Sequence, residues 1–256
     1  MRSTLGLLFF SFALVTVPGC FGGVAQPPPG TTGDLGHSRW IIDDGLCGDG
    51  FLGNQCDLGT RLATGAAPLV RIESRGVSFA GATLEADAGV DLSNVQPSSG
   101  DGTIEALIGS ANAGTFEVRI VAADGTVIDR AHFVFVAPAA IRCGRLSSAA
   151  MRDLAFAGLV PESSFEVVAA QGETTTSTSL ACRVDDASGN PLLTARAVLW
   201  TIAPGSTGTI SVVSDDLLGS TPAAGGTAKL RTTGIGSGTV HAAIGTLSTD
   251  IAVTFR

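Results

Sequence analysis

The side chains suited to acid–base catalysis in this chain are its histidines and one pair of adjacent carboxylates. The three histidines are His37, His132 and His241, and the carboxylates are Asp185 and Asp186. The sequence contains no His-Glu-x-x-His run, no Gly-x-Ser-x-Gly nucleophile elbow and no P-loop. A carboxylate pair could transfer protons in a cleft, but its position beside a Gly-Asn-Pro turn favours a solvated loop. We interpret His132 and His241 as surface or edge histidines, and we predict no catalytic residue, no enzyme activity and no cofactor.

The first twenty residues have the pattern of an export signal. Arg2 gives a positive start, residues 5–17 form an apolar run, and Gly19 directly precedes Cys20. The run is too short to span a bilayer as a helix and fits a secretory signal. The Gly19-Cys20 pair resembles the lipobox of bacterial lipoproteins, which implies cleavage before Cys20 and lipidation of its thiol. In that family, Phe21 in place of Asp after the cysteine favours the outer membrane. The alternative is a plain secreted protein with a chance cysteine.

The remaining cysteines predict disulfides. With Cys20 assigned to lipid, four of the five cysteines remain, an even number in an exported chain: Cys47, Cys56, Cys143 and Cys182. Three pairings are possible. Proximity favours Cys47–Cys56, which leaves Cys143–Cys182. The spacing matches no zinc pattern, so no metal is predicted.

Charge and composition restrict the partners. The chain has a formal net charge of −8, and residues 1–19 include Arg2 but no acid, so the remainder is one unit more negative. Nucleic acid is not an expected partner, because phosphate binding needs clustered Lys or Arg. The 34 glycines and the absence of tyrosine, with abundant Thr, Ser and Val, indicate a β-rich and turn-rich chain. We expect contact with a membrane through the lipid and with an unidentified protein or surface.

Two short segments separate the signal from the predicted sandwiches. Residues 20–36 include Pro27-Pro28-Pro29-Gly30 and lack an apolar period, which predicts a flexible tether. Residues 37–65 form a predicted small module around Cys47-Gly48-Asp49-Gly50 and Cys56-Asp57-Leu58-Gly59. This motif resembles the short Cys-rich repeat of many myxobacterial surface proteins, which indicates lineage and a surface context more than an activity.

The same segment also contains residues that could bind a dinucleotide or calcium. Gly48 to Gly53 matches G-x-G-x-x-G, but a dinucleotide site needs a strand before the glycines and a helix after them. Calcium could bind to oxygen donors from four acidic residues: Asp43, Asp44, Asp49 and Asp57. We interpret these acids as a solvated loop.

Residues 66–137 have the period of β-strands. Val70 and Ile72 alternate with Leu69, Arg71 and Glu73. A similar alternation runs through residues 116–122, and Asp124-Gly125 marks a hairpin before the next apolar run. Short strands separated by turns about every 10 residues predict a small β-sandwich.

Residues 138–256 carry a more specific pattern. The run Val184-Asp185-Asp186-Ala187-Ser188-Gly189-Asn190-Pro191 is followed by Ala197-Val198-Leu199-Trp200. It resembles the bacterial Ig-like domains of the invasin and intimin type, and residues 226–230 and 238–242 fit the same family. The resemblance implies a sandwich with Trp200 in its core. Cys182 then pairs with Cys143 or stays a buried thiol, because no later cysteine follows. The pattern of residues 147–158 fits either a short helix or a strand.

The sequence therefore predicts an all-β protein with tandem small sandwiches. The predicted parts are a signal peptide (1–19), the lipidated Cys20 with its tether (20–36), a Cys-rich module (37–65), a β-sandwich (66–137) and an Ig-like sandwich (138–256). The predicted role is structural, adhesive or protein-binding at the cell envelope. Two alternatives are a periplasm-facing scaffold lipoprotein of an envelope complex and an unrecognised enzyme or small-ligand carrier, which would need a deep polar cleft.

Overall fold

The computed structural model describes residues 30–43, 55–56, 58–97, 102–146, 159–168, 175–214 and 226–256. The regular secondary structure in these ranges is entirely β and forms four sheets. None of the described residues belongs to a helix that could cross a membrane. The sheets are arranged as two sandwiches, so the predicted all-β tandem fold is confirmed.

The first sandwich contains ten strands. They are β1 (Thr31–Thr32), β2 (Ser38–Asp43), β3 (Gln55–Cys56), β4 (Leu62–Ala63), β5 (Leu69–Ser74), β6 (Thr83–Ala86), β7 (Val90–Pro97), β8 (Thr103–Ser110), β9 (Gly114–Val121) and β10 (Val127–Val136). One sheet has the order β1-β2-β5-β8-β7, with β3 also paired to β2, and the other has the order β4-β10-β9-β6. The pairing of β4 with β10 is parallel.

The second sandwich contains nine strands. They are β11 (Ala140–Leu146), β12 (Leu159–Pro161), β13 (Ser164–Val167), β14 (Thr175–Asp185), β15 (Leu199–Ile202), β16 (Thr209–Ser214), β17 (Thr227–Thr233), β18 (Gly236–Ile244) and β19 (Leu247–Phe255). One sheet has the order β12-β11-β14-β17-β16 and the other the order β13-β19-β18-β15. Here β13 pairs with β19 in parallel.

The second sandwich repeats the topology of the first. β11 takes the place of β2, β13 takes that of β4, and β14–β19 follow the order of β5–β10. The main strands of the first sandwich, in chain order, are β2, β5, β6, β7, β8, β9 and β10. One sheet contains the first, second, fifth and fourth of them, and the facing sheet contains the third, sixth and seventh. The second sandwich has the same order. This is the strand order of immunoglobulin domains. Both sandwiches are Ig-like, although the sequence predicted this only for the second.

Strand β2 lies within the segment that the sequence assigned to a separate Cys-rich module. It pairs with β5 over its whole length, from Ser38↔Ser74 to Asp43↔Leu69. β1 lies in the predicted tether, and β4 lies in the predicted module and pairs with β10. The first sandwich therefore begins near residue 30, and the predicted boundary at 65/66 passes through hydrogen-bonded sheets.

Each sandwich is built around one of the two tryptophans of the chain. Trp40 on β2 is buried and meets Phe133 edge to face, with ring centroids 6.0 Å apart. Its indole N–H donates to Ser38 Oγ at 2.6 Å. Trp200 on β15 is also buried and lies opposite Ala242 in the register of β18. Trp200 is a core residue, as the sequence predicted, whereas Trp40 was missed because it precedes the Cys-rich motif.

The disulfide Cys143–Cys182 is present. The two cysteines are direct partners in the antiparallel pair β11 and β14, with Cα atoms 4.1 Å apart. The predicted pairing is confirmed for these two residues. Cys47 lies outside the described residues, so Cys47–Cys56 stays a prediction, and Cys56 is on β3. Also outside them are Cys20, the acids Asp44, Asp49 and Asp57, and residues 147–158.

A buried carboxylate fixes the beginning of the first sandwich. Asp129, just after the irregularity at the start of β10, accepts hydrogen bonds from Leu35 N (2.8 Å), His37 N (2.8 Å) and Ser38 Oγ (2.7 Å). Burial by itself would raise the pKa of this carboxyl, but these bonds and one from Arg130 N outweigh it and lower the pKa below 3.8. A Cβ at Gly33 would overlap the carboxylate, so this turn requires glycine.

Replacing Trp200 tests the packing of the second sandwich. Trp200→Ala is expected to lower the free energy of unfolding by about 3–5 kcal/mol, because truncating a buried aromatic leaves a cavity. Urea unfolding followed by circular dichroism measures this loss, and Leu199→Ala, at the exposed neighbouring position, is the control. A loss of less than about 1 kcal/mol, well below the usual cost, would show that the indole is not a packed core element.

Asp129 makes the first sandwich sensitive to acid. Its pKa is lowered in the folded state, so its contribution to stability is complete above the ordinary carboxyl value of 3.8 and is lost as the pH falls toward the folded-state pKa. Asp129→Asn should lower the melting temperature at neutral pH and flatten its decline in acid. Thermal melts of both proteins at several pH values measure this. Parallel acid profiles for the two proteins would contradict the assignment.

Candidate functional site

The histidines considered for catalysis lie on separate outer faces of the sheets. His132 Nδ1 is 3.3 Å from Asp34 Oδ2, and His132 Nε2 is 3.7 Å from Glu117 Oε2. His241 Nδ1 lies 2.6 Å from Asp250 Oδ1 on the neighbouring strand. Both histidine side chains are exposed, as expected for surface histidines. The structure does not bring His132, His241 and the pair Asp185-Asp186 together.

Asp185 and Asp186 are buried, and the prediction of a solvated loop was wrong for both. Their exposed fractions are 2% and 5%. Asp185 accepts a hydrogen bond from Arg183 Nε at 2.6 Å and also pairs with Arg142 across the sheet. Arg142 comes from the neighbouring strand β11, so its pairing with Asp185 could not be deduced from the local sequence.

Asp186 organises the turn that follows β14. Its Oδ1 accepts hydrogen bonds from Ser188 N at 2.8 Å and from Asn190 N at 2.9 Å. Gly189 closes the turn with a φ of 80°, which favours glycine, as the sequence predicted. The Asn190 N–H is the main reason that the pKa of Asp186 lies below its ordinary value. The Asn190 side chain, Ser188 N and the charge of Arg61 act in the same direction, while burial opposes them.

After this turn, the chain of the second sandwich adds to a sheet of the first. Leu193 forms a parallel bridge with Leu62 on β4. Ala63 N donates to Leu193 O at 2.9 Å, and Leu193 N donates to Arg61 O at 2.9 Å. Two residues further on, Ala67 N donates to Ala195 O at 2.9 Å. We call this contact between residues 61–67 and 192–195 the junction.

Side chains reinforce the junction. The apolar side chains of Leu62 and Leu193 are fully buried. Arg196 Nη1 donates to Ala67 O at 2.9 Å, and Arg61 forms an ion pair with Asp186. From the sequence, Arg61 was placed in the Cys-rich module (37–65) and Arg196 in the second sandwich (138–256), and no role was predicted for either. No local motif marks these arginines: Arg61 directly precedes β4, and Arg196 directly follows residues 192–195.

The connecting segment is short and is also held in place. Residues 137–139 join β10 to β11, and Ala139 N donates to Asp185 O at 2.9 Å. The junction therefore lies where the last strand of the first sandwich ends and the first strand of the second begins. This arrangement places the sandwiches end to end and restrains their relative orientation through backbone hydrogen bonds.

The described residues offer little to a cofactor or metal ion. Among them, no group of three or more His, Cys, Asp or Glu side chains is placed to bind a metal. An open pocket of about 260 Å³ lies at the end of the second sandwich that faces away from the junction. Its lining is of small, apolar or hydroxylated residues: Pro204, Gly205, Ser206, Ser237, Gly238, Thr239, Ala252, Val253 and Thr254.

Comparisons with known proteins give only distant similarity. No protein-family model and no curated protein matches the chain. Among solved structures it is similar to invasin, a bacterial integrin-binding protein, at 15% identity and a TM-score of 0.30, covering 77% of this chain and 38% of that one. It is also similar to the D0–D1 domains of intimin (16%, 0.27, 76% and 91%) and to domains 5–6 of the S-layer protein SbsC (16%, 0.29, 77% and 93%). These similarities assign no family.

The junction should couple the unfolding of the two sandwiches. Replacing Arg61 and Arg196 together by alanine removes two side-chain contacts but leaves both cores intact. We expect calorimetry to show one cooperative thermal transition for the wild type and two separated transitions for this double variant. Arg231→Ala, an exposed position on β17, is the control. Two independent transitions already present in the wild type would contradict the coupling.

Proposed function

We propose that this chain is a lipid-anchored protein of the cell envelope with a non-catalytic, structural or adhesive role. The observation that carries the proposal is the junction, in which Ala63 N, Leu193 N and Ala67 N make backbone hydrogen bonds between the sandwiches. A pair of Ig-like domains fixed end to end can hold loops and sheet faces at a defined distance and angle. This is a mechanical property that a spacer or a binding module needs.

The distribution of polar groups supports a non-catalytic role. Asp129, Asp185 and Asp186 are buried, and each is occupied by hydrogen bonds that order the chain. His132 and His241 lie on exposed faces of the sheets beside carboxylates. The chemistry of these groups is used to hold the fold, which leaves the outer surfaces of the sandwiches to make the functional contacts.

The start of the first sandwich supports a short anchor. The lipobox-like Gly19-Cys20 supplies the lipidation site, and β1 begins at Thr31. Residues 21–30 therefore separate the lipid from the first strand, and ten residues reach roughly 30 Å when extended. Several acyl chains on Cys20 would anchor the protein stably, since each buried CH₂ contributes about 0.8 kcal/mol. The outer membrane is the proposed location.

Protease treatment of intact cells tests the anchor and the orientation. We expect the chain to be membrane-bound and digested in intact cells, whereas the Cys20→Ser variant should leave the membrane fraction. Lysed cells provide the control for susceptibility to the protease. Protection until lysis would favour a scaffold that faces the periplasm. Retention of Cys20→Ser in the membrane fraction would contradict lipid anchoring.

A further inference from the structure

Exposed apolar side chains concentrate at the two free ends of the molecule. Among the described residues, six large apolar side chains are exposed, and four of them lie at these ends. Ile235 (83% exposed) and Val168 (59%) are at the end of the second sandwich away from the junction. Leu35 and Val127 are at the opposite end of the first sandwich. Contiguous exposed apolar surface marks contacts with other proteins, whereas single exposed apolar side chains are common on any protein surface.

The strand register fixes the positions of these residues. β14 runs from Thr175 to Asp185, and its Asp185 end lies near the junction. Thr175 and its partner Thr233 therefore lie at the far end of the sandwich. Ile235 follows Thr233 by two residues and lies at the same end. At the other end of the molecule, Leu35 N donates to Asp129, which lies two residues after Val127.

The far end of the second sandwich repeats the surface that forms the junction in the first. Phe135 pairs with Gly114 and Leu62, and its counterpart Phe255 pairs with Gly236 and Val167. Val167 thus corresponds to Leu62, and the following residue, Val168, corresponds to Ala63. Ala63 is fully buried at the junction, whereas Val168 is exposed. Leu193 bridges the outer edge of β4 at the junction, and no isolated bridge of this kind joins β13 to another described residue.

The charges at the two ends are complementary. Glu166 directly precedes Val167, just as Arg61 directly precedes the corresponding residue Leu62. Arg75 follows directly after β5 as Asp186 follows directly after β14. The junction pairs Arg61 with Asp186, so contact between the two free ends would pair Glu166 with Arg75 in the reverse sense.

Both charged residues can change partners. Glu166 now pairs with Arg256 Nε at 2.6 Å, and both side chains are exposed. Arg75 is exposed, and its Nη1 donates to Thr32 Oγ1 at 2.9 Å. Arg75 N also donates to His37 O at 2.8 Å, which fixes Arg75 beside the turn that contains Leu35. Exposed ion pairs contribute little, so exchanging them costs little.

We propose that copies of this chain associate head to tail. The tail face, formed by Glu166, Val168 and Ile235 of one copy, contacts the head face, formed by Leu35, Arg75 and Val127 of the next. Because the two faces differ, the contact is heterologous and builds a ring or an open chain of copies. The association uses folded surfaces alone and does not depend on the proposed lipid anchor.

Sedimentation velocity tests this association on the full chain carrying Cys20→Ser, which keeps lipid out of the measurement. We expect the average mass to rise with protein concentration. Ile235→Ser, Glu166→Arg and Arg75→Glu should each weaken the association by about tenfold or more. The controls are Leu199→Ser and Asp250→Arg, an exposed apolar and an exposed charged position away from both faces, which should associate like the wild type.

Mixing variants gives the sharpest result. Glu166→Arg copies and Arg75→Glu copies should each associate poorly alone and associate when mixed, because the mixture restores an opposite-charge pair at every contact. A chain that stays monomeric at its highest soluble concentration would overturn the proposal. Association that is unchanged by the Glu166, Arg75 and Ile235 substitutions would overturn it too, since the contact would then use another surface.

Discussion

The architecture depends on the need to satisfy the backbone of a very short strand. β4 comprises Leu62–Ala63 and pairs with β10 on one side. Its other edge would expose buried amide and carbonyl groups, which are costly to leave unpaired. The segment 192–195 provides the missing partners. Once Leu193 is paired with Arg61 and Ala63, the second sandwich has one position relative to the first, and the end-to-end arrangement follows.

Two buried carboxylates order the turns that lead into β2 and into the junction segment 192–195. Asp129 accepts hydrogen bonds from the N–H groups of Leu35 and His37, which orders the turn that leads into β2. Asp186 accepts hydrogen bonds from the N–H groups of Ser188 and Asn190, which orders the turn that leads into residues 192–195. Each is an ionised group buried with several donors, the arrangement in which a buried charge is tolerated. Buried carboxylates of this kind often act in catalysis, but here they order the backbone of two turns.

The sequence predicted the elements whose signals are local. Alternation in residues 69–73 marked β5 because side chains on a strand point to opposite faces. Gly189 indicated a turn because glycine tolerates a positive φ, and the structure shows a φ of 80° there. The resemblance to Ig-like domains placed Trp200 in the core, where it is buried. The Cys143–Cys182 pairing followed from the number and spacing of the cysteines.

Features that depend on distant partners were not predictable in the same way. β2 joins the first sandwich through β5, some thirty residues later in the chain, and the cysteine motif between them suggested a separate module. The ion-pair partner of Asp186 is Arg61, which is 125 residues away in the chain, so the local sequence does not show this contact. The first sandwich was recognised as a sandwich but not as Ig-like, because the cysteine segment separates its first two main strands, β2 and β5.

The relative orientation of the two sandwiches is the most direct test of the central claim that the junction makes them one unit. Residual dipolar couplings of backbone amides, measured in a single alignment medium, report the orientation of each sandwich. The account predicts that one alignment tensor fits the couplings of both sandwiches in the orientation described here. Two tensors of different magnitude would show that the sandwiches swing independently and would contradict it.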